Sequence, residues 1–373
     1  MSTDIRQQQV SAAHVMVVGC GALGNEVLKN LVLMGVTHIV AVDFDIVEMG
    51  NLTRSVLFTK NDAKEKRLKV EVVAERLKQM NPDAEITTVY GDIAYDVGLG
   101  LIRQMDVVIG CVDSRWARFS INRLCMRAGI PWVDGGINSM EGTVRVFAPG
   151  KNCYACNLGP EGLKDLAKRL PCSGIIRRQE QTGSAPTTSI IASIIGAIEV
   201  QEALKLIQQD FGTSLCGQML YYDGEHTTVR IAKFQAYDEG CPEHEMWTPV
   251  RQTAVSDATP VGEAIQNWMK ELNAQEVTLC LMNDCFVDYV SRRDNDERFS
   301  VLLPGRKVAD KVTSEKFFDG LPLSSLYQHE YRHIDASFPY PALTLAQIGV
   351  PQHDIVYVIA DGKDYYLEMK SGK

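Results

Sequence analysis

The chain has 373 residues, of which 45% are hydrophobic and 23% charged, with a formal net charge of −9. That length can bury a sizeable core and has room for two domains, and the acidic balance argues against a nonspecific nucleic-acid binder. The polar stretch from Met1 to Gln9 is no secretory signal, and no apolar run reaches membrane-spanning length, so a cytoplasmic protein with no membrane or nucleic-acid partner is expected.

In chain order, Val15 to Val18 suits a buried parallel strand, and Gly19, Gly21 and Gly24 follow it. This spacing lets a strand turn sharply into a helix whose N-terminal amides face a phosphate. A helix is expected from Asn25 to Met34 and a strand from Ile39 to Val42, ending at Asp43, 19 residues beyond Gly24. Dinucleotide folds place a ribose-binding carboxylate at about that distance. The glycines alone fit dehydrogenases, methyltransferases and adenylating enzymes alike.

One helix is expected from Lys64 to Met80, because Leu68, Val72, Val73 and Leu77 recur at helical spacing, and Asn81-Pro82 stops it. Ile86 to Tyr90 and Met105 to Cys111 read as strands, the second delivering Asp113 to the edge where open α/β sheets bind ligands. Further strands are expected over 142–147, 219–222 and 228–234, with helices over 158–170 and 188–207.

The chain contains ten cysteines, better suited in this setting to core positions, metal ligands or nucleophiles than to disulfides. Cys153 and Cys156 form one short knuckle, Cys241 and His244 a second. Two such knuckles brought together suit a structural tetrahedral zinc; a zinc-free version is the alternative.

After Thr248 the composition shifts. A helix is expected from Pro260 to Leu272, strands over 277–282 and 286–290, a short helix and turn over 343–351, and a terminal hairpin around Asp361-Gly362. These describe a small α+β domain over 248–373, with a faint β-grasp likeness at 343–351. His329 and His333, four apart, do not make a convincing metal pair.

Taken together, the three glycines, Asp43-Phe44-Asp45, Asn51-Leu52-x-Arg54, Lys69, Asn81-Pro82, and Cys111-Val112-Asp113 with Arg118 and Asn122 resemble the ThiF/MoeB/HesA family and the adenylation domains of ubiquitin-activating enzymes. The likeness covers roughly residues 6 to 245. It implies a Rossmann-like, mostly parallel α/β adenylation domain over 1–247. It also implies ATP-dependent adenylation of the C-terminal carboxylate of a ubiquitin-like or sulfur-carrier protein. By resemblance Asp43 holds the ribose, Asn51, Arg54 and Lys69 contact the phosphates, and Asp113 supports Mg2+. The blander readings are a solvated Lys69 and an Asp113 that merely caps the next helix.

The resemblance also implies a homodimer in which Arg6 stands for an arginine that reaches the partner subunit's ATP; the alternative is a frayed, solvent-exposed terminus. Family members often carry paired knuckles where Cys153, Cys156, Cys241 and His244 stand. Cys172 lies in the segment that in several relatives carries the thiol taking up the activated carrier, and Arg177 and Arg178 would favour its thiolate. Its alternative is a packed structural cysteine. The extra C-terminal domain tilts the reading toward protein conjugation, with a conjugating enzyme as a possible further partner. The rival classes are a non-catalytic subunit of an activating complex and an NAD-dependent oxidoreductase.

Overall fold

The computed structural model describes residues 3–159, 161–162, 166, 187–234, 237–292, 297–314 and 325–370. Cys172, Arg177, Arg178 and most of the helix expected over 158–170 lie outside the described residues. The chain divides into two compact units. The first comprises 1–94, 102–160 and 183–246, the second 95–101, 161–182 and 247–373.

The first unit is built on an eight-stranded sheet: β1 (His14–Val18), β2 (His38–Asp43), β3 (Glu85–Tyr90), β4 (Val107–Gly110), β5 (Trp132–Asn138), β6 (Glu141–Phe147), β7 (Gln218–Asp223) and β8 (Thr228–Lys233). Their order is β3-β2-β1-β4-β5-β6-β7-β8. The first five run parallel, with register pairs such as Val17↔Ala41 and Val17↔Ile109, and the last three are antiparallel. Strand order reverses between β1 and β4, which opens a crevice at the C-terminal ends of those strands. Runs such as Val15–Val18 are buried on both faces, as central parallel strands require.

Alternate residues of β5 and β6 serve different layers. Val133, Val144 and Val146 join Ile191 and Ile195 of the helix Ser189–Ile207 in the main core. Trp132 and Phe147 instead stack on each other at 4.8 Å, with Tyr154 edge-on to both. Gly196 lets the helix Ala22–Leu33 come close, since a Cβ there would stand 3.0 Å from the Glu26 Cβ.

Two expectations for this unit need correction. The segment expected as one helix over 64–80 is two, Lys60–Lys64 and Lys69–Met80. Lys66 takes φ +51°, and the backbone then pairs with the strand end beyond β2: Leu68 bridges Ile46, and the Val47 amide donates to the Arg67 carbonyl at 2.8 Å. Helical periodicity of apolar residues continues across this break because both segments face the same core. The helix expected to begin at Asn25 starts a turn earlier, at Ala22, with Gly21 as its N-cap.

The second unit holds a five-stranded sheet of β9 (Val250–Gln252), β10 (Val277–Cys280), β14 (His333–Ile334), β15 (Ile355–Ala360) and β16 (Lys363–Glu368). Its strand order is β14-β10-β15-β16-β9. The helix Val261–Leu272 joins Ala264, Ile265 and Trp268 to that sheet's core, with Pro260 as its N-cap. A three-stranded sheet joins β11 (Phe286–Arg292) to β12 (Arg298–Pro304) and β13 (Leu326–Tyr331). The β15–β16 hairpin matches the expected terminal hairpin. The short helix expected over 343–351 is a succession of turns instead, held by the Val261 amide on the Leu343 carbonyl and the Ala346 amide on the Asp257 carbonyl. His329 and His333 lie on β13 and β14 and share no helix face.

Candidate functional site

The glycine turn follows β1 and is shaped by backbone crowding. Gly19 adopts φ +95°, and a Cβ on it would stand 2.5 Å from the Cys111 carbonyl oxygen. On Gly24 a Cβ would meet the Gly19 carbonyl oxygen at 1.9 Å. Gly21 differs, because a Cβ there meets nothing within 4 Å. The first and third glycines therefore close the turn against the protein, whereas the second faces open space at a helix N-cap, where an anion suits the helix dipole.

Asp43, at the end of β2, is fixed from both sides. Its carboxylate accepts from the Cys20 amide at 2.6 Å and from the Asp45 amide at 2.8 Å. Burial pushes its carboxyl above the ordinary range, while Lys69 and the two amides oppose that shift. Asn25, fully buried, ties this turn to the next loop: its side-chain amide donates to the Cys20 carbonyl at 2.8 Å and its oxygen accepts from the Leu57 amide at 2.8 Å.

Asn51 lies in the 3-10 turn Met49–Thr53. Its side-chain oxygen accepts from the Glu48 amide, and its carbonyl accepts from the Arg54 and Ser55 amides. The Arg54 guanidinium donates to the Gly50 carbonyl at 3.2 Å. Lys69 is the first residue of its helix and is only 7% exposed, so the solvated reading does not hold. Its ammonium lies 2.8 Å from Asp45 Oδ2. Burial works against that charge, but Asp43 and Asp45 outweigh it and hold the ammonium above its ordinary range.

Asp113 is exposed just beyond β4. Capping of the following helix, Arg115–Ala128, falls to Ser114, whose hydroxyl accepts from the Ala117 amide at 3.0 Å. The N-cap position is therefore Ser114, one residue beyond Asp113. One turn on, Arg118 Nε donates to the buried Asp134 at 2.8 Å and its Nη2 to the Gly135 carbonyl at 3.1 Å. Arg145 approaches the other Asp134 oxygen at 2.5 Å. Glu199, fully buried opposite Gly135, has its carboxyl pushed well up by burial and by Asp134. Arg6 lies exposed on the N-terminal helix Thr3–Ala12.

Asn25, Asp134, Arg145 and Glu199 escaped the sequence reading. The one available signal was chemical: a charge within the apolar run 188–207 has to find a buried polar partner.

The two knuckles meet. Cys153, Cys156, Cys241 and His244 bring one ligand atom each within 4.8 Å of one another. The sulfurs of Cys153 and Cys156 are 3.7 Å apart and those of Cys153 and Cys241 3.9 Å, with Cys156 Sγ 3.1 Å from His244 Nε2. Two thiolates on a tetrahedral zinc stand roughly 3.8 Å apart, so this donor set fits that ion. Burial lowers the His244 pKa and favours the neutral imidazole that ligates metals. Tyr237 stacks on that ring at 4.3 Å.

A reversing parallel sheet, a glycine turn at its switch point, and a buried lysine beside two carboxylates define a nucleotide-binding α/β protein. Residues 2–243 match the profile of the ThiF family, and the chain belongs to that family. It is 30% identical over 236 residues to the SAMP-activating enzyme E1 of Haloferax volcanii, a match covering 63% of this chain and 82% of the relative. It is also 31% identical over 229 residues to the molybdopterin-synthase adenylyltransferase of Haemophilus influenzae, covering 61% and 87%. The mouse adenylyltransferase and sulfurtransferase MOCS3 matches at 32% identity over 58% of this chain but 44% of its own length. Among solved structures, Escherichia coli MccB with ATP shares the fold, with a TM-score of 0.53 at 19% identity over 65% of this chain and 69% of MccB. Among the described residues no helix is long and apolar enough to cross a membrane.

Proposed function

We propose that this chain adenylates the C-terminal carboxylate of a ubiquitin-like or sulfur-carrier protein with ATP. The carboxylate oxygen attacks the α-phosphorus, the bond to the departing pyrophosphate breaks, and an acyl adenylate remains. The observation that carries this reading is the grouping of Gly21, Asp43, Lys69 and Asp113 at the C-terminal ends of β1, β2 and β4 and on the helix that follows β2.

In this reading Gly21 admits the phosphates, Asp43 takes the ribose, and Asn51, Arg54 and Lys69 face the phosphate chain. Charge gathers on the phosphates in the transition state, so preplaced cations contribute most. Asp113 offers a hard oxygen donor suited to Mg2+, which when bound would screen the phosphate oxygens. The Cys153, Cys156, Cys241 and His244 set would hold zinc away from this chemistry and clamp the fold.

The helix Ser189–Ile207 supports a homodimer. It is apolar, yet Ile190 is 71% exposed, and Ala197, two turns on along the same face, is exposed as well. Arg6 would then reach the partner's nucleotide. Cys172 is the proposed acceptor of the activated carrier: its thiolate attacks the acyl carbon of the adenylate, the bond to AMP breaks, AMP leaves and a thioester remains, with a conjugating enzyme as the next recipient and the cytoplasm as the setting.

The test is ATP–pyrophosphate exchange with candidate carriers, comparing the parent with Asp113→Ala and Cys172→Ala. Exchange that needs one carrier and Asp113 but survives Cys172→Ala supports adenylation, and a reducible carrier adduct lost in Cys172→Ala supports the thioester. Nucleotide binding without exchange by any carrier would overturn the reading.

A further inference from the structure

Both knuckles grip one helix. Asn122, fully buried, accepts from the Tyr154 amide at 2.9 Å through its side-chain oxygen, and Tyr154 lies inside the first knuckle. Arg123, its neighbour, makes a two-pronged ion pair with Glu243 in the second knuckle, Nε to Oε2 at 2.9 Å and Nη2 to Oε1 at 2.7 Å. Such paired bonds fix direction as well as distance. At the helix end Gly129 takes φ +75°, and a Cβ there would lie 3.4 Å from the Met246 methyl group. The C-terminal half of Arg115–Ala128 is thus held by residues 154, 243 and 246, all within three residues of a metal-ligand candidate.

The other end of that helix carries the chemistry. Asp113 precedes it, Ser114 caps it, and Arg118 reaches Asp134 and the Gly135 carbonyl at the sheet edge. A helix of this length moves as a rod, so a shift at Asn122 and Arg123 carries to its first turn.

We infer that the metal cluster sets the position of Asp113 through this helix, with Asn122 and Arg123 as positioning residues. The inference rests on the adenylation reading only for the role of Asp113; the mechanical coupling stands apart from it. On this account metal loss loosens the first turn of the helix as well as the knuckles, and Mg2+-dependent nucleotide binding weakens with it.

The experiment uses the full chain. Amide hydrogen exchange is compared between zinc-loaded and chelator-treated protein, and between zinc-loaded parent and zinc-loaded Arg123→Gln. The expected result is a loss of protection of about tenfold at Ala117 and Arg118 in both comparisons, with β1 and β2 unchanged. Arg123→Lys, which keeps the charge but not the paired geometry, falls between. Faster exchange confined to 150–158 and 238–246 would overturn the inference. If chelation unfolds the whole chain, zinc-loaded Arg123→Gln decides the matter by the same criterion.

A second readout separates positioning from general weakening. Arg123→Gln is expected to weaken ATP binding in the presence of Mg2+ by about threefold and to leave Mg2+-free binding unchanged; an equal loss in both would overturn it. The adenylation reading is checked separately by whether Mg2+-ATP protects the amides of residues 20–24 in the parent. Its failure there leaves the exchange comparison at Ala117 and Arg118 decisive.

Discussion

Lys69 Nζ stands 2.8 Å from Asp45 Oδ2 although 24 residues separate them, because the chain leaves helical geometry at Lys66 and pairs Leu68 with Ile46. The lysine is thereby buried with its charge intact, while Asp45 keeps a side chain 52% exposed. Its ammonium can turn toward incoming phosphate oxygens without stranding a buried carboxylate. Lys69→Met is therefore expected to lower ATP–pyrophosphate exchange by about 100-fold, the scale of one lost electrostatic contact to a transition state. Thermal stability should fall only modestly, since Asp45 stays solvated and Asp43, which loses the Lys69 charge, keeps the Cys20 and Asp45 amides. A melt and an exchange assay on one preparation check both halves.

The glycine turn separates folding from binding. Gly24→Ala drives a methyl into the Gly19 carbonyl oxygen and is expected to cost more than about 3 kcal/mol, seen as insoluble or early-melting protein. Gly21→Ala meets open space and should melt within about 1 kcal/mol of the parent while binding ATP more weakly. Equal melting of the two variants would contradict this division.

The metal cluster makes a stoichiometric prediction. Protein purified without chelator should hold one zinc per chain, and Cys156→Ala or Cys241→Ala should lose it. Burial pushes the Cys153 and Cys241 thiols up, so loading zinc at neutral pH should release protons. Metal analysis and a proton-release titration measure these, and a metal-free parent that melts at the same temperature as the loaded one would refute the clamp.

How far the sequence told this in advance depended on range. Gly19, Gly21 and Gly24 could be read because a turn constrains its own neighbours, and Cys153, Cys156, Cys241 and His244 because ligand chemistry allows few residue types. The helix break at residues 65–68 could not be read, since its cause is a bridge to Ile46 that periodicity does not register. Nor could Glu199 opposite Gly135 or Arg145 on Asp134, which exist only once the strands and helices pack. The turns over 343–351 passed for a short helix through the faint β-grasp likeness, whereas Leu345 and Ile348 are buried in the core of the second unit from turns.

Asp62 gives the pH dependence. It is almost fully buried and accepts from the Thr59 amide at 2.8 Å, the Thr59 hydroxyl at 2.6 Å and Arg67 at 3.0 Å. Burial alone would raise its pKa, but those bonds and Arg76 together hold it below the ordinary 3.8. A depressed native pKa means that the unfolded chain binds the proton more tightly. Its contribution is whole above 3.8 and is lost as pH falls from there through the native value. Asp62→Asn should destabilise by about 2 kcal/mol at neutral pH, with the gap closing in that acid window. Denaturant titrations at pH 7 and near pH 3 measure it.

Arg306 and the segment 95–101 make the last prediction, within the second unit. Arg306 pairs with Asp284 at 2.8 Å and with Asp96 at 2.9 Å, and lies 5.5 Å from the Tyr95 ring centre. Gly98 and Gly100 admit the backbone at residues 352 and 353 so closely that a Cβ would stand 2.2 Å from the Gln352 carbonyl and 2.5 Å from that of His353. Arg306→Met leaves Asp284 buried without its counter-charge and is expected to cost about 3 kcal/mol, against under about 0.5 kcal/mol for the exposed Arg298→Met. Burial already holds the Asp284 pKa above its ordinary value, and losing Arg306 raises it further. The Arg306→Met deficit should therefore grow as pH rises toward neutrality and shrink in acid, where Asp284 takes up a proton. A chain ending at residue 247 removes Arg306, Asp284, Gln352 and His353 together, so residues 95–101 lose these partners and should become an early site of limited proteolysis. Proteolytic resistance of that segment in the shortened chain equal to that in the full one would show that these bonds do not hold it.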